Sequence, residues 1–154
     1  MKSLEFLSKS PQETISLARR LAGQLQKGDI LCLSGNLGSG KTTFTKGIAK
    51  GLGINEKNVN SPTFILMNAH PGKLPLFHFD FYRLENPGEI NQIGYEEFLY
   101  DEGVAVIEWA ERLKNLFPKE GLKIHFDFEG DKKRLIAFAA LGKRGAEILR
   151  GLKK

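Results

Sequence analysis

The sequence predicts an α/β fold of three layers, with helices packed on a mixed sheet whose core strands run parallel and whose C-terminal strands form an antiparallel hairpin. Three observations carry that expectation. A short apolar run, Ile30 to Leu33, leads into a glycine-rich loop and then a helix-like stretch from Lys41 to Leu52. A second run, Val104 to Ile107, closes on a carboxylate, Glu108. Two late alternating runs, 122–128 and 134–141, flank Glu129-Gly130-Asp131-Lys132, which is the pattern of a hairpin.

From the N-terminus, Ser10-Pro11-Gln12-Glu13 reads as a capping box with proline at the first helical position. The helix it opens repeats Ile15, Ala18, Leu21, Ala22 and Leu25 at helical spacing and is expected to stop near Lys27-Gly28. Ile30 to Leu33 suits a strand buried on both faces of a parallel sheet. Gly51, Gly53 and Asn55 end the next helix. Runs at 63–67, 74–81 and 104–107 read as further strands, with turns at Pro71-Gly72 and Pro87-Gly88. A basic amphipathic helix is expected over 145–152. No linker, repeat or low-complexity stretch interrupts 1–154, so one domain is expected.

Composition narrows the function classes. With 41% hydrophobic and 27% charged residues, the chain falls among soluble globular proteins. Its single cysteine cannot build a disulfide framework or a cysteine-based zinc site, which favours a reducing compartment. No apolar run approaches a membrane span, and the start lacks a signal peptide's apolar core, so a cytoplasmic protein without membrane partners is expected. The net charge of +5 is unevenly placed. Residues 131–154 carry eight Lys or Arg against two acids, whereas 84–111 carry eight acids and no Lys or Arg. The two zones read as candidate docking surfaces.

The segment Gly35-Asn36-Leu37-Gly38-Ser39-Gly40-Lys41-Thr42 matches the P-loop pattern G-x-x-x-x-G-K-[ST]. Its glycines let backbone N–H groups converge on phosphate oxygens, and the following helix turns its positive end to the same anion. Lys41 is placed to bridge the terminal phosphates, and the Thr42 hydroxyl to meet Mg²⁺. A strand before the loop and a helix opening inside it supply the context the motif needs. The fold class is therefore P-loop NTPase-like.

Such a loop works with an acid at the end of a neighbouring strand. Glu108 and Asp80 are the two candidates; alternation over 78–82 puts His78, Asp80 and Tyr82 on one face. His78 reads more readily as a packed, hydrogen-bonded side chain than as a catalyst, and His70 and His125 carry less weight still. Ser61, Pro62 and Thr63 sit where nucleotide switches place a γ-phosphate-sensing hydroxyl. Trp109, the single tryptophan, follows Glu108 directly and is a candidate reporter of nucleotide.

Taken together, GNLGSGKTTFTKG at 35–47, SPTF at 61–64, HFDFYR at 78–83 and EW at 108–109 resemble the bacterial tRNA threonylcarbamoyladenosine biosynthesis ATPase family, TsaE, formerly YjeE. The resemblance implies a weak Mg²⁺-dependent ATPase, binding ATP and ADP, that works with TsaD- and TsaB-type partner proteins to support threonylcarbamoylation of tRNA position 37. Contact with tRNA itself is expected to be indirect or weak. By matching position, Lys41 would contact phosphates, Thr42 and Glu108 would hold Mg²⁺, and Thr43 would lie in the phosphate loop beside Asn36, Leu37, Gly38, Ser39 and Gly40. Asp80 would support hydrolysis, Ser61 to Thr63 would form a switch with Trp109 close by, and Ser10, Glu111 and Arg134 are further nucleotide-contact candidates. No cis arginine finger beyond Arg83 is evident, which implies slow intrinsic turnover.

Two other classes use the same loop. A small-molecule P-loop kinase would need an acceptor pocket, and the acidic stretch after Arg83 is a poor setting for anionic acceptors. A nucleic-acid-binding nucleotide switch would draw on the basic C-terminus, where Phe138 is the only aromatic residue for stacking.

Overall fold

The computed structural model describes residues 2–59, 67–85 and 103–153. In chain order these form β1 (Ser3–Ser8), α1 (Pro11–Ala22), β2 (Ile30–Gly35), α2 (Lys41–Gly51), β3 (Met67–His70), β4 (Leu76–Asp80), β5 (Val104–Glu108), β6 (Gly121–Phe128), β7 (Arg134–Leu141) and α3 (Gly142–Lys153). Short 3₁₀ segments lie at Glu56–Asn58 and Ala110–Leu116.

The strands make one sheet in the order β1-β7-β6-β2-β5-β4-β3. Its core is parallel: β2 pairs with β5 on one side and β6 on the other, and β4 pairs with β5. The edges are antiparallel, with β3 on β4, β7 on β6 and β1 on β7. This mixed α/β architecture, parallel at its centre with a C-terminal hairpin, matches the expected class. Every residue of β2, β4 and β5 is buried, as strands with cover on both faces require.

Strand alternation divides the apolar residues between two layers. Leu31, Leu33, Val104, Val106, Leu122 and Ile124 pack beneath α1, α2 and α3. Ile30, Cys32, Phe77, Phe79, Ala105 and Ile107 face the other way, where Ala110 and Leu113 of the 3₁₀ segment close over them. Among the described residues, then, all three α-helices share one side of the sheet. α1 and α2 meet closely because Gly47 and Gly51 offer no side chains: a Cβ on Gly47 would stand 2.6 Å from that of Ala18, and one on Gly51 2.5 Å from that of Ala22. No helix among the described residues is long and apolar enough to cross a membrane.

Several boundaries differ from the sequence expectation. α1 ends at Ala22 rather than near Lys27, because Gly23, Gln24 and Leu25 shift to bonds with carbonyls three residues back and the Asp29 carboxylate takes the Gln26 N–H. α3 begins at Gly142, three residues early. β1 was not expected: Leu4 and Phe6 reach the core while its register runs from Ser3 opposite Ala139 to Ser8 opposite Arg134. The strand expected over 63–67 falls almost wholly outside the described residues, and β3 starts at Met67.

Candidate active site

β2 delivers the loop and α2 receives it. Gly40, the residue before α2, is left-handed at φ 108° and supplies no side-chain cap, so the helix presents its first N–H groups to the cavity without a side-chain partner. Gly35 is left-handed too (φ 142°), and a Cβ there would stand 2.7 Å from the Phe126 carbonyl oxygen and 2.8 Å from Ser39 Oγ. The loop follows this path only with glycine at both positions.

The cavity above it has a volume of about 360 Å³ and is lined by Leu37, Gly38, Gly40, Lys41, Thr42, Thr43, Asp80, Tyr82, Glu108 and Trp109. Parallel pairing sets Asp80 directly opposite Glu108, so both candidate acids stand side by side at the C-terminal edge of the sheet. Thr42 Oγ1 donates to Glu108 Oε1 at 2.9 Å. The other oxygen, Oε2, is held by His78 Nε2, with Thr45 Oγ1 at 3.5 Å. Asp80 Oδ1 accepts the Tyr82 N–H at 2.9 Å, which ties the carboxylate to the turn leaving β4.

Lys41 is only 4% exposed. Its ammonium donates to the carbonyl oxygens of Gly35 (2.5 Å) and Asn36 (2.9 Å) and lies 4.2 Å from the centre of the Trp109 ring. Burial pushes its pKa below the ordinary lysine value, opposed by the carboxylates of Glu108, Glu111 and Asp80. Trp109 takes a left-handed conformation (φ 59°, ψ 41°), uncommon for a bulky residue, and its ring packs against Tyr82 at 4.9 Å. A cation held by carbonyl dipoles and a ring face, next to helical N–H groups that no side chain among the described residues caps, is an arrangement that suits a polyanion.

The donor set also suits Mg²⁺. A hydroxyl and a carboxylate in contact, with a second buried carboxylate adjacent, are hard oxygen ligands. Among the described residues no group of three or more His, Cys, Asp or Glu could hold a metal alone.

A second cavity, about 480 Å³, opens on the other side of the loop and shares Gly38, Gly40 and Thr43 with the first. Ser10 and Arg134 both line it, brought together by β1 ending beside the start of β7. Ser10 also caps α1, its hydroxyl accepting the Glu13 N–H at 3.2 Å. Glu111 lines neither cavity; it borders a third, with Cys32, Ser34 and Lys123, on the opposite face of the sheet. Ser61, Pro62 and Thr63 lie outside the described residues. His78 and Tyr82, which the sequence does not mark as site residues, join it: Tyr82 lines the first cavity and His78 holds Glu108. Strand alternation pointed both toward Asp80, yet only the three-dimensional pairing reveals a partner for His78.

Known proteins resemble this chain in sequence and in fold. Residues 8–136 match the family model for threonylcarbamoyl adenosine biosynthesis protein TsaE. The chain is 44% identical over 145 residues to the tRNA threonylcarbamoyladenosine biosynthesis protein TsaE of Bacillus subtilis, covering 94% of this chain and 90% of that one. It is 39% identical to the TsaE protein of Treponema pallidum, covering 88% of this chain and all of the other. The crystal structure of Bacillus subtilis YdiB superposes with a TM-score of 0.83 at 37% identity, covering 99% and 95% of the two chains. With the family model spanning the loop, both acids and the first half of the hairpin, the chain belongs to the TsaE family and to tRNA threonylcarbamoyladenosine biosynthesis.

Proposed function

We propose that the chain is an ATPase that binds and slowly hydrolyses Mg²⁺-ATP in the cytoplasm, in support of threonylcarbamoylation of tRNA position 37 by TsaD- and TsaB-type partner proteins. The observation that carries this reading is the contact of Thr42 with Glu108 beside a buried Lys41, directly under a loop whose helix N-terminus has no side-chain cap. The loop N–H groups bind the phosphates. Lys41 exchanges its carbonyl partners for phosphate oxygens, which relieves its desolvation. Thr42 and Glu108 would hold Mg²⁺, which when bound would supply charge stabilisation in phosphoryl transfer. Asp80 orients the water that attacks the γ-phosphorus as the bond to the bridging oxygen breaks, giving ADP and phosphate. Among the described residues no arginine lines the loop cavity. The slow turnover in this reading rests on the family resemblance, and an arginine supplied by a partner would be worth roughly 10³ to 10⁵ in rate.

Lys41→Ala removes charge-assisted bonds of about 1.5–3 kcal/mol each and should lower ATP affinity by at least about tenfold. Titrating ATP against Trp109 fluorescence checks this; an unchanged response in the variant would count against the site. Turnover measured alone, with candidate small acceptors and with the partner proteins separates ATPase from kinase, because phosphate appearing on an acceptor would sink the ATPase reading.

A further inference from the structure

We infer that His78 is a positioning residue that decides which oxygen of Glu108 faces the metal site; the inference rests on the Mg²⁺-ATP reading above. His78 stands on β4 two residues before Asp80, is completely buried, and holds Glu108 Oε2 through Nε2. Its Nδ1 is also buried and has no hydrogen-bond partner among the described residues. Of the two neutral tautomers, one would strand an N–H on Nδ1 and set a bare Nε2 lone pair against a carboxylate. The other donates Nε2–H to Glu108 and leaves Nδ1 a bare acceptor, the less costly group to leave unpaired. In a neutral ring the geometry therefore places the proton on Nε2. With Oε2 bound to His78, the Glu108 carboxylate is oriented so that Oε1 is the oxygen that Thr42 reaches. A carboxylate ligand is commonly oriented in this way by a partner behind it, and losing that partner typically costs 10–100-fold in metal affinity.

A packing role predicts something different, so the test separates metal binding from nucleotide binding. ADP binding by the full chain is measured calorimetrically in excess Mg²⁺ and in EDTA for wild type, His78→Leu, His78→Gln and Glu108→Gln. His78→Leu should lose about 10–100-fold of affinity in Mg²⁺ while staying within about twofold of wild type in EDTA. His78→Gln, which keeps a donor near the Nε2 position, should recover most of the loss. The double variant His78→Leu/Glu108→Gln should bind no more weakly in Mg²⁺ than Glu108→Gln alone. Equal losses in both conditions, or none in either, would overturn the inference while leaving the ATPase reading intact. A wild-type chain that binds no nucleotide in either condition would remove both. Should His78→Leu not fold, ¹⁵N spectra of the wild-type histidines decide: the His78 proton belongs on Nε2 and should shift when Mg²⁺ joins the ADP complex. A proton on Nδ1, or no shift, would overturn it.

Discussion

Lys41 and Cys32 show how burial treats two titratable groups of opposite kind. For Lys41 burial disfavours the charged form, yet three carboxylates and two carbonyls keep an ammonium tolerable beneath the glycine-rich loop. For Cys32, in the middle of β2, burial pushes the thiol up to about 12, against a smaller opposing influence of Lys123. The unfolded thiol loses its proton near 9, so between about 9 and 12 the unfolded chain carries fewer protons than the folded one. Stability should then fall as pH rises through that window, and Cys32→Ala should flatten the fall; urea midpoints of both chains at pH 8, 10 and 11 measure it. At pH 8 native Cys32 should resist iodoacetamide and react only on unfolding. At this scale the sequence was most informative where chemistry is local. Glu108 closes an apolar run and Lys41 sits in a contiguous motif, so both are legible. The His78–Glu108 bond joins residues 30 apart through strand pairing, and no local signal encodes it.

Among the elements, α1 and α2 depend on each other. Gly47 and Gly51 of α2 lie against Ala18 and Ala22 of α1, and a side chain at Gly47 would also meet the Ile15 carbonyl oxygen at 2.7 Å. α2 begins at Lys41 and α1 begins beside the second cavity, so their separation sets the width of the loop's surroundings. Gly47→Val should therefore destabilise by about 1–3 kcal/mol through overpacking, despite removing a helix glycine. Equilibrium urea unfolding measures the loss, and ADP affinity should weaken with it as α2 is pushed off the sheet. A variant as stable as wild type would show that the helices slide apart freely. The elements that periodicity revealed are those with one strong pattern: α1, β2, β5 and the hairpin of β6 and β7. β1 was missed because only Leu4 and Phe6 mark its buried side, while Leu7 is 41% exposed. The segment Ala110–Leu116 was missed because it turns on Trp109 and Lys114 at positive φ, conformations no composition rule assigns to those residues.

Across the whole molecule, β2 acts as a ruler between a structural anchor and the chemistry. Arg144 of α3 makes paired bonds of 2.8 Å to the two carboxylate oxygens of Asp29, just before β2, and a third of 2.8 Å to the Gln24 carbonyl. That pairing raises the Arg144 pKa, first through its bond to Asp29. The basic C-terminus, which the sequence suggested as a docking face, thus commits one of its charges internally, and two more, Lys132 and Arg134, line the cavity beside the loop. Asp29 is 3% exposed, so Arg144→Met leaves a carboxylate buried without its cation, a change worth about 3–5 kcal/mol for fully buried pairs and nearer 2–3 here because Arg144 is partly solvated. Pairing it with Asp29→Asn should recover much of the loss, and a urea-unfolding double-mutant cycle reads the coupling. Six residues of β2 place Asp29 roughly 20 Å from the phosphate loop at about 3.3 Å per residue. Under conditions where Arg144→Met is still folded, its Mg²⁺-ADP affinity should consequently match wild type. A weakened affinity in the folded variant would mean that α3 and the loop move as one body, and that the anchor holds the site as well as the fold.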